Sequence, residues 1–128
     1  MPSEGSDSAM RIALIFDRRR EDTWGLYFAR ALERLTVTVQ HFWLRDADRI
    51  PRDFDLYLRI DHGSYERDLP RDLRPSAFIV SDTHLRKPFR AIRRQARQYT
   101  YLFCGHRDGA MRLRRLGMPA VWLPAAWV

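Results

Sequence analysis

Two acid–histidine pairs carry the chemistry this chain could do. Asp61-His62-Gly63-Ser64 directly follows the apolar run Phe54-Asp55-Leu56-Tyr57-Leu58-Arg59-Ile60, and Ser81-Asp82-Thr83-His84 directly follows Ala77-Phe78-Ile79-Val80. Imidazole takes or gives a proton near neutral pH, and an adjacent carboxylate can orient it or tune its charge. In open α/β sheets, ligands bind in the crevice beyond the carboxyl ends of the strands. Asp61, His62, Asp82 and His84 are therefore the candidate catalytic residues. Arg86 and Lys87, just beyond His84 at the expected start of a helix, are placed to meet phosphate together with the helix-terminal amides. The competing structural reading has Asp82 or Thr83 capping that helix and His84 packing beneath it.

The elements that must position these residues alternate along the chain. Arg11-Ile12-Ala13-Leu14-Ile15-Phe16 is a nearly continuous apolar run, the pattern of a strand buried on both faces, and Asp17 closes it before Arg18-Arg19-Arg20. Trp24, Tyr27, Phe28, Ala31, Leu32 and Leu35 then fall at helical spacing behind Asp22 or Thr23 as N-cap. The loop between them is neither GxGxxG nor a Walker A loop. Val37 to Leu44 predicts a second strand, Arg45 to Asp53 a charged connection, and Phe54 to Ile60 a third strand. Gly63 to Pro75, with Pro70 and Pro75 bracketing alternating charges, predicts a surface excursion able to serve as a lid.

Ala77 to Val80 is the fourth expected strand. Beyond His84, Leu85, Phe89, Ile92, Ala96 and Tyr99 make one buried helical stripe, while Arg86, Lys87, Arg90, Arg93, Arg94 and Arg97 fill the outer face. Thr100 to Cys104 predicts a fifth strand ending in Gly105-His106. A helix over Arg107 to Leu116 is stopped by Gly117, which suits the left-handed C′ position, and Ala120 to Pro124 is the sixth strand. The alternation predicts a single Rossmann-like α/β domain over residues 11–128, with a doubly wound, mostly parallel sheet of five to six strands. Residues 1–10, rich in Ser, Gly and acid up to Ala9, are expected to be a disordered leader.

Composition bounds the function. The 128 residues make one domain's worth, with 45% hydrophobic and 12% aromatic residues marking a globular chain. The net charge is +7, yet of 23 basic residues only Lys87 is a lysine; so lopsided a usage can arise from codon bias as well as from phosphate binding. Cys104 is the sole cysteine, so no intrachain disulfide can form. With no secretory apolar region at the N-terminus and no apolar run near 18 residues, a cytoplasmic location without membrane contact is expected.

Other constellations are weaker. His62, His84 and His106 each follow a strand and could converge as a zinc site, but no ligand-spacing motif accompanies them, and no metal or cofactor is expected. A receiver-type phosphoacceptor needs an acidic pair after the first strand and a lysine after the fifth; here Asp17 precedes arginines and Gly105-His106 stands in the lysine's place. Cys104 beside His106 suggests a nucleophile pair, although buried free cysteines are ordinarily inert. The basic helix could track phosphates without reading bases, but no nucleic-acid-binding motif accompanies it, so nucleic acid is disfavoured as a partner.

Taken in order, Asp61-His62-Gly63, Ser81-Asp82-Thr83-His84 and Leu116-Gly117-Met118-Pro119-Ala120-Val121-Trp122-Leu123-Pro124-Ala125-Ala126 resemble the N-terminal half of CgeB-like spore-maturation glycosyltransferases, over roughly Arg11 to Trp127. The resemblance implies a GT-B architecture in bacteria, with two Rossmann-like domains across a cleft. This chain would be the acceptor-side half, and its partners a nucleotide-sugar and an acceptor substrate, with a further C-terminal domain holding most of the nucleotide-sugar contacts. It puts Asp61, His62, Asp82 and His84 along the cleft; Asp17, Arg18, Gly63, Ser64, Thr83, Arg86 and Lys87 are the candidate substrate contacts beside them. The apolar end with Trp122, Leu123 and Trp127 is expected to meet that domain or a second copy of the chain. The alternative is a small basic module that binds nucleotide or nucleic acid without catalysis.

Overall fold

Met10–Ile15 (β1) lies inside the sheet, with its last four residues buried. In the computed structural model, which describes residues 9–17, 24–61, 67–81 and 83–124, β1 pairs on one side with Val37–Phe42 (β2) and on the other with Leu56–Asp61 (β3). Ser76–Val80 (β4), Tyr101–Cys104 (β5) and Ala120–Trp122 (β6) continue outward from β3. The order is β2-β1-β3-β4-β5-β6 and all five pairings are parallel. The expected Rossmann-like sheet thus has six strands. Its order reverses between β1 and β3, where the chain returns past β1 after making the edge strand β2.

Helices cover both faces because alternate strand residues point to opposite sides. On one face Ala29 and Leu32, from Trp24–Glu33 (α1), pack on Ile12, Leu14, Leu58 and Ile79. On the other, Phe89 and Ile92 from Arg86–Gln95 (α2) and Leu113 from Arg107–Arg115 (α3) join Phe78, Val80 and Leu102. Short 3-10 segments at Leu44–Arg49 and Ala96–Gln98 complete that face through Ala47 and Ala96. Ile92 and Leu113 are fully buried, each stabilising the fold by roughly 1.5–3 kcal/mol. α3 ends as its glycine predicts, with Gly117 at φ 90° and its amide bonded to the Arg114 carbonyl.

Three expectations need correction. Ala31 is exposed within α1, and Leu35 is exposed because α1 ends at Glu33 and Leu35 falls in the turn beyond it. Leu85 is also exposed, because it is the extended residue before α2 and does not belong to its buried stripe. The described part of the excursion before β4 is no free lid. Leu69 and Leu73, one helical turn apart in spacing, are buried in the core, and Gln98 Nε2 donates to the Leu69 carbonyl at 2.9 Å.

That segment is tied down by a charge inside the fold. Arg59 on β3 is fully buried, on the α2 side of the sheet, stacked 4.4 Å from the Phe78 ring centroid of the neighbouring strand. Its Nη1 donates to Gln95 Oε1 and to the Tyr99 hydroxyl, both at 2.8 Å, and its Nη2 donates to the Arg67 carbonyl at 2.6 Å. Asp68 completes the cluster at 3.6 Å, while accepting from Gln98 Nε2 at 2.6 Å and Tyr99 at 3.3 Å. Burial raises the Tyr99 phenol well above its ordinary value, with Arg59 offsetting part of the rise. A buried guanidinium persists only with such partners.

Candidate functional site

The carboxyl ends of β4 and β5 build a cleft from two loops. After β4 the chain runs through Ser81 and Thr83 to His84; after β5 it turns at Gly105-His106 into α3. Two backbone bonds extend the ladders into these turns: the Gly105 amide donates to the Val80 carbonyl at 2.9 Å, and the Leu123 amide to the Cys104 carbonyl at 2.8 Å. The two loops are therefore held side by side. They bring the exposed His84 and His106 rings to 4.9 Å between centroids, tilted 66° edge to face.

Below the histidines the first turn of α3 meets Thr83. An ideal Cβ on Gly109 would collide with the Thr83 side chain, its hydroxyl oxygen first. Only glycine permits so close an approach. Thr83 is 1% exposed, and its Oγ1 finds no hydrogen-bond partner among the described residues. The helix itself is uncapped: His106 occupies the N-cap position in extended conformation and makes no side-chain cap bond. The first amides of a helix lack intrahelical partners, so α3 presents them to the cleft. The cleft is open to solvent and has a volume of about 220 Å³. That is far above the roughly 10–15 Å³ a water needs, and below the roughly 300–1,000 Å³ of pockets that enclose a whole drug-sized ligand.

Charge at the cleft is mixed but favours anions. Arg107, Asp108 and Arg112 contribute to its lining. Arg112 is steered by its guanidinium carbon lying 3.9 Å from the Phe89 ring centroid, and by donation from Nη1 to the Thr83 carbonyl at 3.5 Å. Arg86 and Lys87 are exposed at the start of α2, near the cleft in sequence but outside its lining. Thr83 does not cap α2; Leu85 holds that position, without a side-chain cap bond.

The rest of the expected site is distributed differently. Asp17 Oδ1 accepts the Leu44 amide at 2.9 Å, fixing the start of the 3-10 segment after β2, so this carboxylate has a structural task at the β1 end. Asp61 ends β3, with its backbone paired to Val80 of β4. The Asp61 side chain, and Arg18, His62, Gly63, Ser64 and Asp82 altogether, lie outside the described residues, as does Trp127. Trp122 is 46% exposed on β6. Cys104 is buried, and burial pushes its thiol up to about 12, which suits an inert core residue and not a nucleophile.

Of the three histidines considered for a metal, His84 and His106 do converge. Among the described residues, however, no group of three His, Cys, Asp or Glu side chains is arranged to hold an ion. No helix among them is long and apolar enough to cross a membrane. The sequence reading missed Gly109 and Arg112 and considered His106 only as a metal ligand or as a partner for Cys104. The available signal was Gly105-His106-Arg107-Asp108-Gly109, a polar cluster standing after β5 as Ser81 to His84 stands after β4. Comparisons with protein-family models, curated proteins and solved structures find no match to this chain.

Proposed function

We propose that this chain is the acceptor-side, Rossmann-like half of a GT-B-type glycosyltransferase resembling the CgeB-like proteins, with its working edge at the carboxyl ends of β3, β4 and β5. The observation that carries the reading is the paired His84 and His106 at the mouth of a polar cleft on the ligand-binding edge of a parallel sheet. An imidazole there takes the proton of the acceptor hydroxyl as its oxygen bonds to the anomeric carbon and the bond to the nucleoside diphosphate breaks. On this reading Asp61, the last residue of β3, and His62 and Asp82, which follow β3 and β4 in sequence, serve as orienting or proton-accepting groups. Most of the donor contacts come from a second domain, and positioning across the two supplies much of the rate.

A second reading has its own observation. Arg86, Lys87, Arg90, Arg93 and Arg94 on α2 are all exposed, and none makes an ion pair among the described residues. A ridge of this kind binds polyanions through counterion release, with no chemistry required. Titration with UDP-, GDP- and TDP-sugars and with a nonspecific oligonucleotide, followed by amide-resolved NMR at physiological salt, separates the two. Glycosyl transfer predicts shifts at residues 61–64, 83–87 and 106–109 with at least one sugar nucleotide. Spectra unmoved by every sugar nucleotide, with salt-sensitive oligonucleotide shifts along residues 86–97, overturn it in favour of the binding module.

A further inference from the structure

We infer that the cleft between Thr83 and the head of α3 is a subsite for one phosphate group. Helix N-termini attract anions through their free amides and the positive end of the helix dipole, and here the position that a capping side chain would fill is held by His106 without a cap bond. The nine-residue helix would not carry the proposal alone. The independent observation is Thr83: its hydroxyl is buried, has no hydrogen-bond partner, and faces the first turn of α3 across the missing Cβ of Gly109. A buried hydroxyl left without a partner is costly. Its placement at an uncapped helix start, in a cleft of about 220 Å³, fits an oxyanion that would accept from it.

The surroundings suit phosphate better than carboxylate. Arg107 and Arg112 outnumber Asp108 in the lining, and Arg112 is held by Phe89 and the Thr83 carbonyl instead of by a carboxylate. His84 and His106, when protonated, bring further donors from both ring nitrogens. With the α3 amides, the hydroxyl and two guanidinium groups, the cleft offers more donors than a planar two-oxygen carboxylate can accept, and a tetrahedral phosphate has oxygens for them. The cleft is open to solvent, so the rest of the ligand extends out over the histidines. On the glycosyl-transfer reading this phosphate belongs either to the donor's diphosphate or to a phosphorylated acceptor.

Inorganic pyrophosphate, titrated into the chain at physiological salt and followed by amide and histidine-ring NMR, is the first probe. The subsite predicts saturable shifts at Arg107, Asp108, Gly109 and both histidine rings. Thr83→Val should lower the affinity by roughly tenfold, the usual effect of losing one hydrogen bond to a charged group. The same variant should fold at least as stably as the parent, because it removes an unpartnered hydroxyl, so lost binding cannot be blamed on lost structure. Arg93→Gln should leave the affinity unchanged. The proposal is overturned if no saturable shift appears, if Thr83→Val binds as tightly as the parent, or if the shifts follow Arg90, Arg93 and Arg97 instead.

Two further ligands identify the source of the phosphate. Tighter binding of a nucleoside diphosphate than of pyrophosphate assigns the donor, and tighter binding of a sugar phosphate assigns the acceptor. If pyrophosphate saturates the cleft while neither ligand gains on it and no sugar nucleotide moves the spectrum, the subsite stands and glycosyl transfer falls.

Discussion

Two polar clusters sit on the same side of the sheet, and they differ in what they leave unmade. Around Arg59, in the middle of β3, a buried guanidinium meets Gln95, Tyr99, the Arg67 carbonyl and Asp68. At the head of α3, a buried hydroxyl has no partner, a helix start has no cap, and two imidazoles stand together at the surface. The first cluster joins residues far apart in sequence and spends its hydrogen bonds inside the protein. The second holds its donors open at the edge where α/β sheets take ligands. Burial alone does not separate structure from function here; the state of the hydrogen bonds does.

The largest effect should come from breaking the first cluster. Arg59→Met removes the donor to Gln95, Tyr99 and the Arg67 carbonyl at once and strands their polar atoms. Removing one partner of such a buried network costs about 3–5 kcal/mol, read as a lower midpoint in urea unfolding. A loss under about 1 kcal/mol would mean that the methionine stem replaces the guanidinium's packing on Phe78 and that the network is close to neutral. Gly109→Ala tests the second cluster by steric means. Its Cβ drives into Thr83, and overpacking of this kind costs about 1–3 kcal/mol. It should also abolish the pyrophosphate shifts, whereas Arg59→Met, if folded, should preserve them.

How much of this could be read from the chain follows the same divide. Five of the six strands were legible as short apolar runs and β2 by its β-branched and aromatic residues, and the glycine stop of α3 because φ 90° is a backbone demand that the sequence states directly. Thr83 and His84 were legible as polar residues closing a buried strand. Arg59 was not, because one charged residue within a strand looks like a solvent-facing position. Only Gln95 and Tyr99, 36 and 40 positions away, make it an interior one. The contact of Thr83 with Gly109 was equally hidden, since it depends on how two loops from adjacent strands meet. The described part of the excursion before β4 lies at the surface as its prolines and charges predict, but Leu69 and Leu73, which anchor it in the core, were hidden among them.

An intermediate effect should appear with pH. Cys104 lies in the core with its thiol pushed from 9.0 up to about 12 by burial, and Tyr99 is raised in the same direction. Above pH 9.0 the unfolded chain loses the thiol proton while the folded chain keeps it, so the unfolded state binds fewer protons and stability falls as pH rises. The decline is at most roughly 1.4 kcal/mol per pH unit for each such group and runs until the folded value is reached. Urea midpoints of the parent should therefore drop above pH 9.0, and those of Cys104→Ala should drop less steeply. Parallel slopes for the two proteins would remove the thiol from the account and leave Tyr99 to explain the loss.

The smallest effect sharpens the comparison by moving the same pair of groups to the surface. Arg52 and Asp72 make a two-point contact, at 2.8 Å and 3.2 Å, tighter than the 3.6 Å between Arg59 and Asp68. By distance the surface pair should matter more. Water decides otherwise, because exposed ion pairs gain little over solvation and are screened by salt. The bond from Arg52 holds the Asp72 carboxyl below its ordinary range, so whatever stability it adds is present at neutral pH and is lost as pH falls below about 3.8. Asp72→Asn should leave the neutral-pH midpoint where it is and slightly flatten the acid limb. A large neutral-pH loss would show that the pair anchors the turn of Leu73 into the core, and that the line between the Arg59 cluster and the surface is drawn by connectivity instead of by solvent.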